Sequence, residues 1–150
     1  MLEQAQEMIE LLEKPGNRLR TGLLLVPPSR LEKAGEIAAH LLADIEDIAE
    51  MALKAIPPGS NFACLSARRI EEWLDQISYK ATGQKRALVI NLDLLLAGVG
   101  EKERAEVWHF AKTGMPYRPR VLIVMVPAIA GLVLPALDEW NRAGRCVSWL

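Results

Sequence analysis

The stretch Gly22-Leu23-Leu24-Leu25-Val26-Pro27-Pro28-Ser29-Arg30-Leu31-Glu32-Lys33-Ala34 decides how this chain folds. Gly22 to Val26 is short, uncharged and aliphatic, as a buried strand is, and the two prolines that follow must end it. From Arg30 onward the apolar residues return at helical spacing. A strand that passes through a tight turn into a helix is the first half of a strand-helix-strand unit.

Outward from this stretch, the same alternation repeats. The helix is predicted from Arg30 to Ile56, where Pro57-Pro58-Gly59 stops it, and the acidic run DIEDIAE (Asp44 to Glu50) is assigned to its solvated face. Asn61 to Ser66 reads as a short strand, with Ser66 as N-cap of the helix ARRIEEWLDQISYKA, whose Ile70, Trp73, Leu74 and Ile77 share one face. Arg86 to Asp93 is the next strand, followed by a Gly98/Gly100 loop. The helix EKERAEVWHFAK then turns Ala105, Trp108 and Ala111 inward. Val121 to Val126 is a fourth strand, Ala128 to Arg142 a helix made irregular by Pro135, and RCVSWL a fifth strand. Toward the amino terminus, residues 1–14 hold an amphipathic helix from Leu2 to Glu13. Its apolar set, Leu2, Ala5, Met8, Ile9 and Leu12, requires cover from the domain itself or from a partner.

Strands that are apolar on both faces and joined by helices imply a parallel sheet covered on both sides. The expected fold is therefore α/β: a three-layer α/β/α sandwich with a five-stranded, mostly parallel sheet, forming a single domain over residues 1–150. A chain of 150 residues with 51% apolar content supports one core of that size. Eighteen basic against 19 acidic residues leave a formal net charge of −1, which argues against attachment to nucleic acid or membrane by bulk charge. The uncharged run from Val121 to Leu137 is interrupted by Pro127, Gly131 and Pro135, so it reads as strand and helix rather than as a membrane span. The acidic opening helix resembles no targeting peptide. Cys64 and Cys146 lack metal-ligand or redox spacing, and the expectation is two free thiols in a cytoplasmic protein.

This order of elements resembles the P-loop NTPase superfamily, in the branch that inserts an extra strand between the nucleotide-loop strand and the metal-site strand. In that resemblance GLLLV is the first strand and PPSRLEKA the phosphate loop. ALVINLD carries the metal-site acid, VLIVMVP is the sensor strand and RCVSWL the fifth. The resemblance implies vestigial nucleotide contacts at Pro28, Ser29, Arg30, Lys33 and Asp93. The loop departs from the family pattern. A phosphate cradle needs glycines so that backbone N–H groups can converge on the anion, with a lysine and a hydroxyl beside them. Here two prolines offer no N–H, no glycine stands between Val26 and Lys33, and Lys33 is not followed by Ser or Thr. Leu94 follows Asp93, where a hydrolytic member carries a glutamate. The pattern NLDLLLA…ER…VW…RPRVLIVMVP also resembles the small P-loop-like component of BREX-type phage-defence systems.

A second pattern lies in the basic residues. Arg18 and Arg20, Lys85 and Arg86, Arg118 and Arg120, and Arg142 and Arg145 each precede a predicted strand. Strand starts share one edge of a parallel sheet, so these side chains are either solubilising flanks or a strip for nucleic acid or an anionic partner. Arg68 and Arg69 open a helix, and His40 and His109 lack ligand partners at useful spacing. The tryptophans at 73 and 108 fit core stripes, and Trp149 is a candidate exposed anchor.

The function expected from these readings is a non-catalytic binding or assembly subunit of a multi-protein complex, of the phage-defence kind the resemblance implies. Its partner is a larger protein, and self-association remains open. No cofactor, metal site or catalytic residue is expected. The alternatives are a weak ATP- and magnesium-binding protein that uses the divergent loop with Asp93, and a nucleic-acid adaptor that uses the basic edge.

Overall fold

The structure is a computed structural model that describes residues 2–59 and 65–149. Five parallel strands form one sheet in the order β2-β3-β4-β1-β5. They are β1 (Thr21–Val26), β2 (Asp44–Asp47), β3 (Arg86–Ile90), β4 (Val121–Pro127) and β5 (Cys146–Ser148). The register pairs Leu23 with Val124, Arg86 with Val121, Leu24 with Val147 and Ile45 with Leu88.

Side chains alternate across the sheet, and each face builds its own core. Leu24, Val26, Leu88, Ile123 and Met125 pack against α1 (Glu3–Leu12) and α2 (Ala34–His40). Leu23, Leu25, Val89, Leu122 and Val124 pack on the opposite face, which is covered mainly by α3 (Ile48–Lys54), α4 (Ala67–Tyr79), α5 (Leu92–Ala97) and α6 (Glu101–Thr113). Trp140 from α7 (Leu137–Arg142) completes that second core, with Trp108 edge-on to it at 6.4 Å. This is α/β architecture with an all-parallel sheet, consistent with the three-layer sandwich.

The opening helix packs on its own domain, burying Ala5, Met8, Ile9 and Leu12. Gly22 permits this approach, since a Cβ there would lie 2.9 Å from the Met8 sulfur and 3.1 Å from a Leu12 methyl. Ser66 caps α4 as expected by accepting from the Arg69 N–H, and Ile70, Trp73, Leu74 and Ile77 are buried.

Five expectations require correction. The helix predicted from Arg30 to Ile56 is a 3-10 helix (Pro28–Lys33), α2, the strand β2 and then α3. The break falls at Leu42, which takes φ 53 just past the end of α2. Its N–H bonds Ala39 O, and Ala43 N–H bonds Ala38 O at 2.9 Å, which is the paired closure of a Schellman motif. Consequently the acidic run from Asp44 is an edge strand rather than a helix face, and Asp47 caps α3 by accepting from Glu50 N–H.

The strand predicted through Asp93 ends at Ile90. Asn91 adopts the left-handed conformation at φ 67, one that Asn tolerates, and turns the chain into α5. Asp93 thus stands in the first turn of a helix. In α6 it is Val107, not the exposed Ala105, that joins Trp108 and Ala111 in the core. The helix predicted from Ala128 to Arg142 is shorter, a single 3-10 turn (Gly131–Val133) followed by α7. The strand predicted at Asn61 to Ser66 lies mostly outside the described residues. Among the described residues no helix is long and apolar enough to cross a membrane.

Candidate functional site

Two edges of the sheet carry the residues singled out in the sequence. At the carboxyl edge, β1 runs into Pro27 (φ −69, ψ 153), and Pro28 begins the 3-10 helix that continues into α2. The turn closes on itself, with Arg30 N–H donating to Pro27 O at 2.9 Å. Neither proline has an N–H, and that of Arg30 is already used. The turn is a compact helical start and not an open loop around a ligand. Ser29 and Lys33 are exposed. The Arg30 guanidinium lies 4.1 Å above the Trp149 ring, and Trp149 N–H donates to Leu25 O at 2.7 Å. Trp149 is therefore half-buried in the α1/α2 core and holds Arg30, where an exposed anchor was expected.

Asp93 lies on the same edge, at the end of β3. Since β4 intervenes between β1 and β3, two strand spacings, roughly 10 Å, separate the turn from Asp93 at the sheet level. Burial raises the Asp93 pKa, and its own N–H and that of Leu94 partly offset this by stabilising the carboxylate. The next residue, Leu94, is 59% exposed, and Ile129 and Leu132 are 76% and 87% exposed. The 3-10 turn holding Leu132 packs against α5, which holds Leu94. Leu132 also forms part of the wall of a cleft of about 320 Å³ lined by Trp108 and Trp140. Trp108 is fixed there by its Nε1–H donating to Val133 O at 2.7 Å.

At the amino edge the basic residues fall into two sets. Arg86 forms a double contact with Glu13, at 2.9 and 2.7 Å, and also donates to Leu41 O. Glu13 holds the Arg86 pKa above its ordinary value against the opposing effect of burial. Arg118 binds Asp75 and Ser78 and lies 4.1 Å above the Tyr79 ring. Arg120, 2% exposed, donates to Glu46, Gln84 O and Ile77 O, with Asp44 Oδ2 at 3.6 Å. Arg145 donates from Nε to Thr21 O at 2.8 Å and stacks 4.7 Å over Trp140. Burial lowers its pKa to about 10.

These four arginines are engaged inside the fold. Arg18, Lys85 and Arg142 are exposed and Arg20 is half-exposed, so the surface strip is about half of that expected. For Arg120 alone the sequence carried a signal, the spacing of Asp44 and Glu46, which puts both carboxylates on one face of a strand. Glu46 also takes Lys80 at 3.2 Å. Asp44 accepts from Gln84 N–H at 2.8 Å and approaches Gly83 so closely that a Cβ there would collide with it. Gly83 also needs its φ of +84. Arg68 pairs with Glu72 and Arg69 lies over Trp73, while His40 and His109 are exposed on helices.

No protein-family model matches the chain, and no curated protein matches it significantly.

Proposed function

We propose that this chain is a non-catalytic, P-loop-like binding or assembly subunit of a multi-protein complex. The observation that carries the reading is the turn after β1, where the edge suited to a phosphate cradle holds two prolines and a self-closed 3-10 helix. The position of β4 between β1 and β3 supports the resemblance to the P-loop branch with an inserted strand. On the same edge, exposed Leu94, Ile129 and Leu132 offer apolar surface suited to a protein partner. The partner class that the resemblance implies is a larger ATPase or nucleic-acid enzyme of a phage-defence assembly.

The test is equilibrium titration with a fluorescent ATP analogue and magnesium, beside co-elution with a co-expressed candidate partner. The reading requires nucleotide affinity weaker than about 1 mM and a complex that Leu94→Glu/Leu132→Glu disrupts. Micromolar binding abolished by Asp93→Ala would replace it with the nucleotide-binding alternative. A second reading, a nucleic-acid adaptor, is favoured by the exposed Arg18, Lys85 and Arg142 on the amino edge.

A further inference from the structure

The two outer strands of the sheet are finished differently. β2 carries Asp44, Glu46 and Asp47, and its carboxylates are tied to Arg120, Lys80 and Gln84, which blunts that edge against further pairing. β5 carries Cys146, Val147 and Ser148, with neither charge nor proline. Among the described residues it pairs only with β1. Arg145 O accepts from Leu23 N–H, and Trp149 N–H donates to Leu25 O, so Arg145, Val147 and Trp149 direct their backbone groups inward. By strand alternation, the N–H and C=O groups of Cys146 and Ser148 face away from the sheet.

A groove of about 420 Å³ runs beside this edge, walled on one side by Gln4, Glu7, Met8 and Leu11 of α1. Leu11 is 47% exposed. Glu7 is exposed and lines the groove, Glu3 stands one turn before it on the same exposed helix face, and α1 contains no basic residue.

We propose that the β5 edge and the α1 groove bind an extended, basic segment of a protein partner, which adds to the sheet as a sixth strand. This rests on the reading of the chain as a binding subunit and names the chemistry of what it binds. Backbone hydrogen bonds to Cys146 and Ser148 supply the register. An apolar side chain of the segment enters the groove beside Met8 and Leu11, and a lysine or arginine two residues away, on the same face of the added strand, meets Glu7. A second copy of the chain is disfavoured as occupant. Antiparallel pairing of two β5 strands about a two-fold axis would place both α1 helices on the same face, each presenting a groove-lining Glu7 toward the shared seam.

The experiment is an NMR titration of the full chain with a short peptide in which Lys and Val alternate at every second residue with Thr between them, so that both lie on one face of the strand, N-methylated along one edge so that it cannot stack on itself. The control is its Glu/Val counterpart. The expected result is saturable shifts at the Cys146 and Ser148 amides, with slowed exchange there, for the basic peptide only. Gln4→Lys/Glu7→Lys should weaken binding by about tenfold or more, the equivalent of about 1.4 kcal/mol, and Ser148→Pro should abolish it. The Gln4/Glu7 variant keeps the test decisive if the proline variant fails to fold. Absence of shifts at these amides, equal response to the acidic peptide, or concentration-dependent dimerisation through β5 would overturn the proposal. Those outcomes leave the ATP titration and the Leu94/Leu132 test unchanged, so failure here is distinct from failure of the binding-subunit reading.

Discussion

Arg120, at the entrance to β4, reaches across to β2 and donates to Glu46 at 2.8 Å from a side chain that is 2% exposed. Glu46 is 13% exposed, so bulk solvent screens the pair only in part. Removing one partner leaves the other with its remaining contact, Lys80 for Glu46 and Asp44 for Arg120. Arg120→Ala or Glu46→Ala should therefore cost about 1–3 kcal/mol, whereas replacing both residues with apolar ones should cost less than the sum. Urea unfolding of the single and double variants measures this, and additive losses would deny the coupling.

Leu42 occupies a left-handed position where glycine is the usual residue. Leu42→Gly should stabilise the chain by about 1 kcal/mol, and Leu42→Val should destabilise it. The comparison of thermal midpoints is sufficient. An unstable Leu42→Gly variant would mean that the α2 terminus is not strained.

The same residue explains where sequence reading stops. The sheet was legible because GLLLV, RALVI and VLIVMV are apolar on both faces, and the Ser66 cap and the α4 stripe were legible from local spacing. The end of α2 was not, because the Schellman closure uses Leu42, with no glycine or proline to announce it. β2 was hidden for a related reason. An acidic edge strand is stabilised by Arg120 and Lys80, residues distant in sequence, so local propensity alone favoured a continuous helix. At the candidate site, the proline turn was evident from composition. The stacking of Arg30 on Trp149 depends on β5 lying beside β1, and nothing local reports that.

Burial raises the pKa of Asp93, and it raises that of Glu71 together with the neighbouring Glu106 carboxylate. A carboxyl group whose folded pKa is raised contributes stability that is full below its unfolded pKa and lost as pH rises through the folded value. Stability of the parent should therefore fall, relative to Asp93→Asn and Glu71→Gln, as pH rises from the ordinary values of 3.8 and 4.5. Denaturation midpoints across acid to neutral pH measure the crossing. Parallel curves for parent and variants would show that neither group titrates differently in the fold.

Nucleic-acid binding by the amino edge would have to use Arg18, Arg20, Lys85 and Arg142, because Arg86, Arg118, Arg120 and Arg145 are held inside the fold. Reversing Arg118 or Arg120 would report on folding. The informative variant is Arg18→Glu/Lys85→Glu/Arg142→Glu. If the adaptor reading holds, duplex affinity should weaken and the slope of log affinity against log salt should flatten by about one unit per lost phosphate contact. No duplex binding at about 50 mM salt is the outcome expected of a protein-binding subunit.

The central claim concerns main-chain donors: Pro27 and Pro28 lack them, and Arg30 has committed its own to Pro27 O at 2.9 Å. Titration of magnesium and ATP into the full chain, followed through the amides of Ser29 to Ala34, tests it most directly. The account predicts no saturable shift in those amides below about 1 mM nucleotide. Saturation at micromolar ATP, with shifts centred on Ser29 to Ala34 and lost in Asp93→Ala, would contradict it.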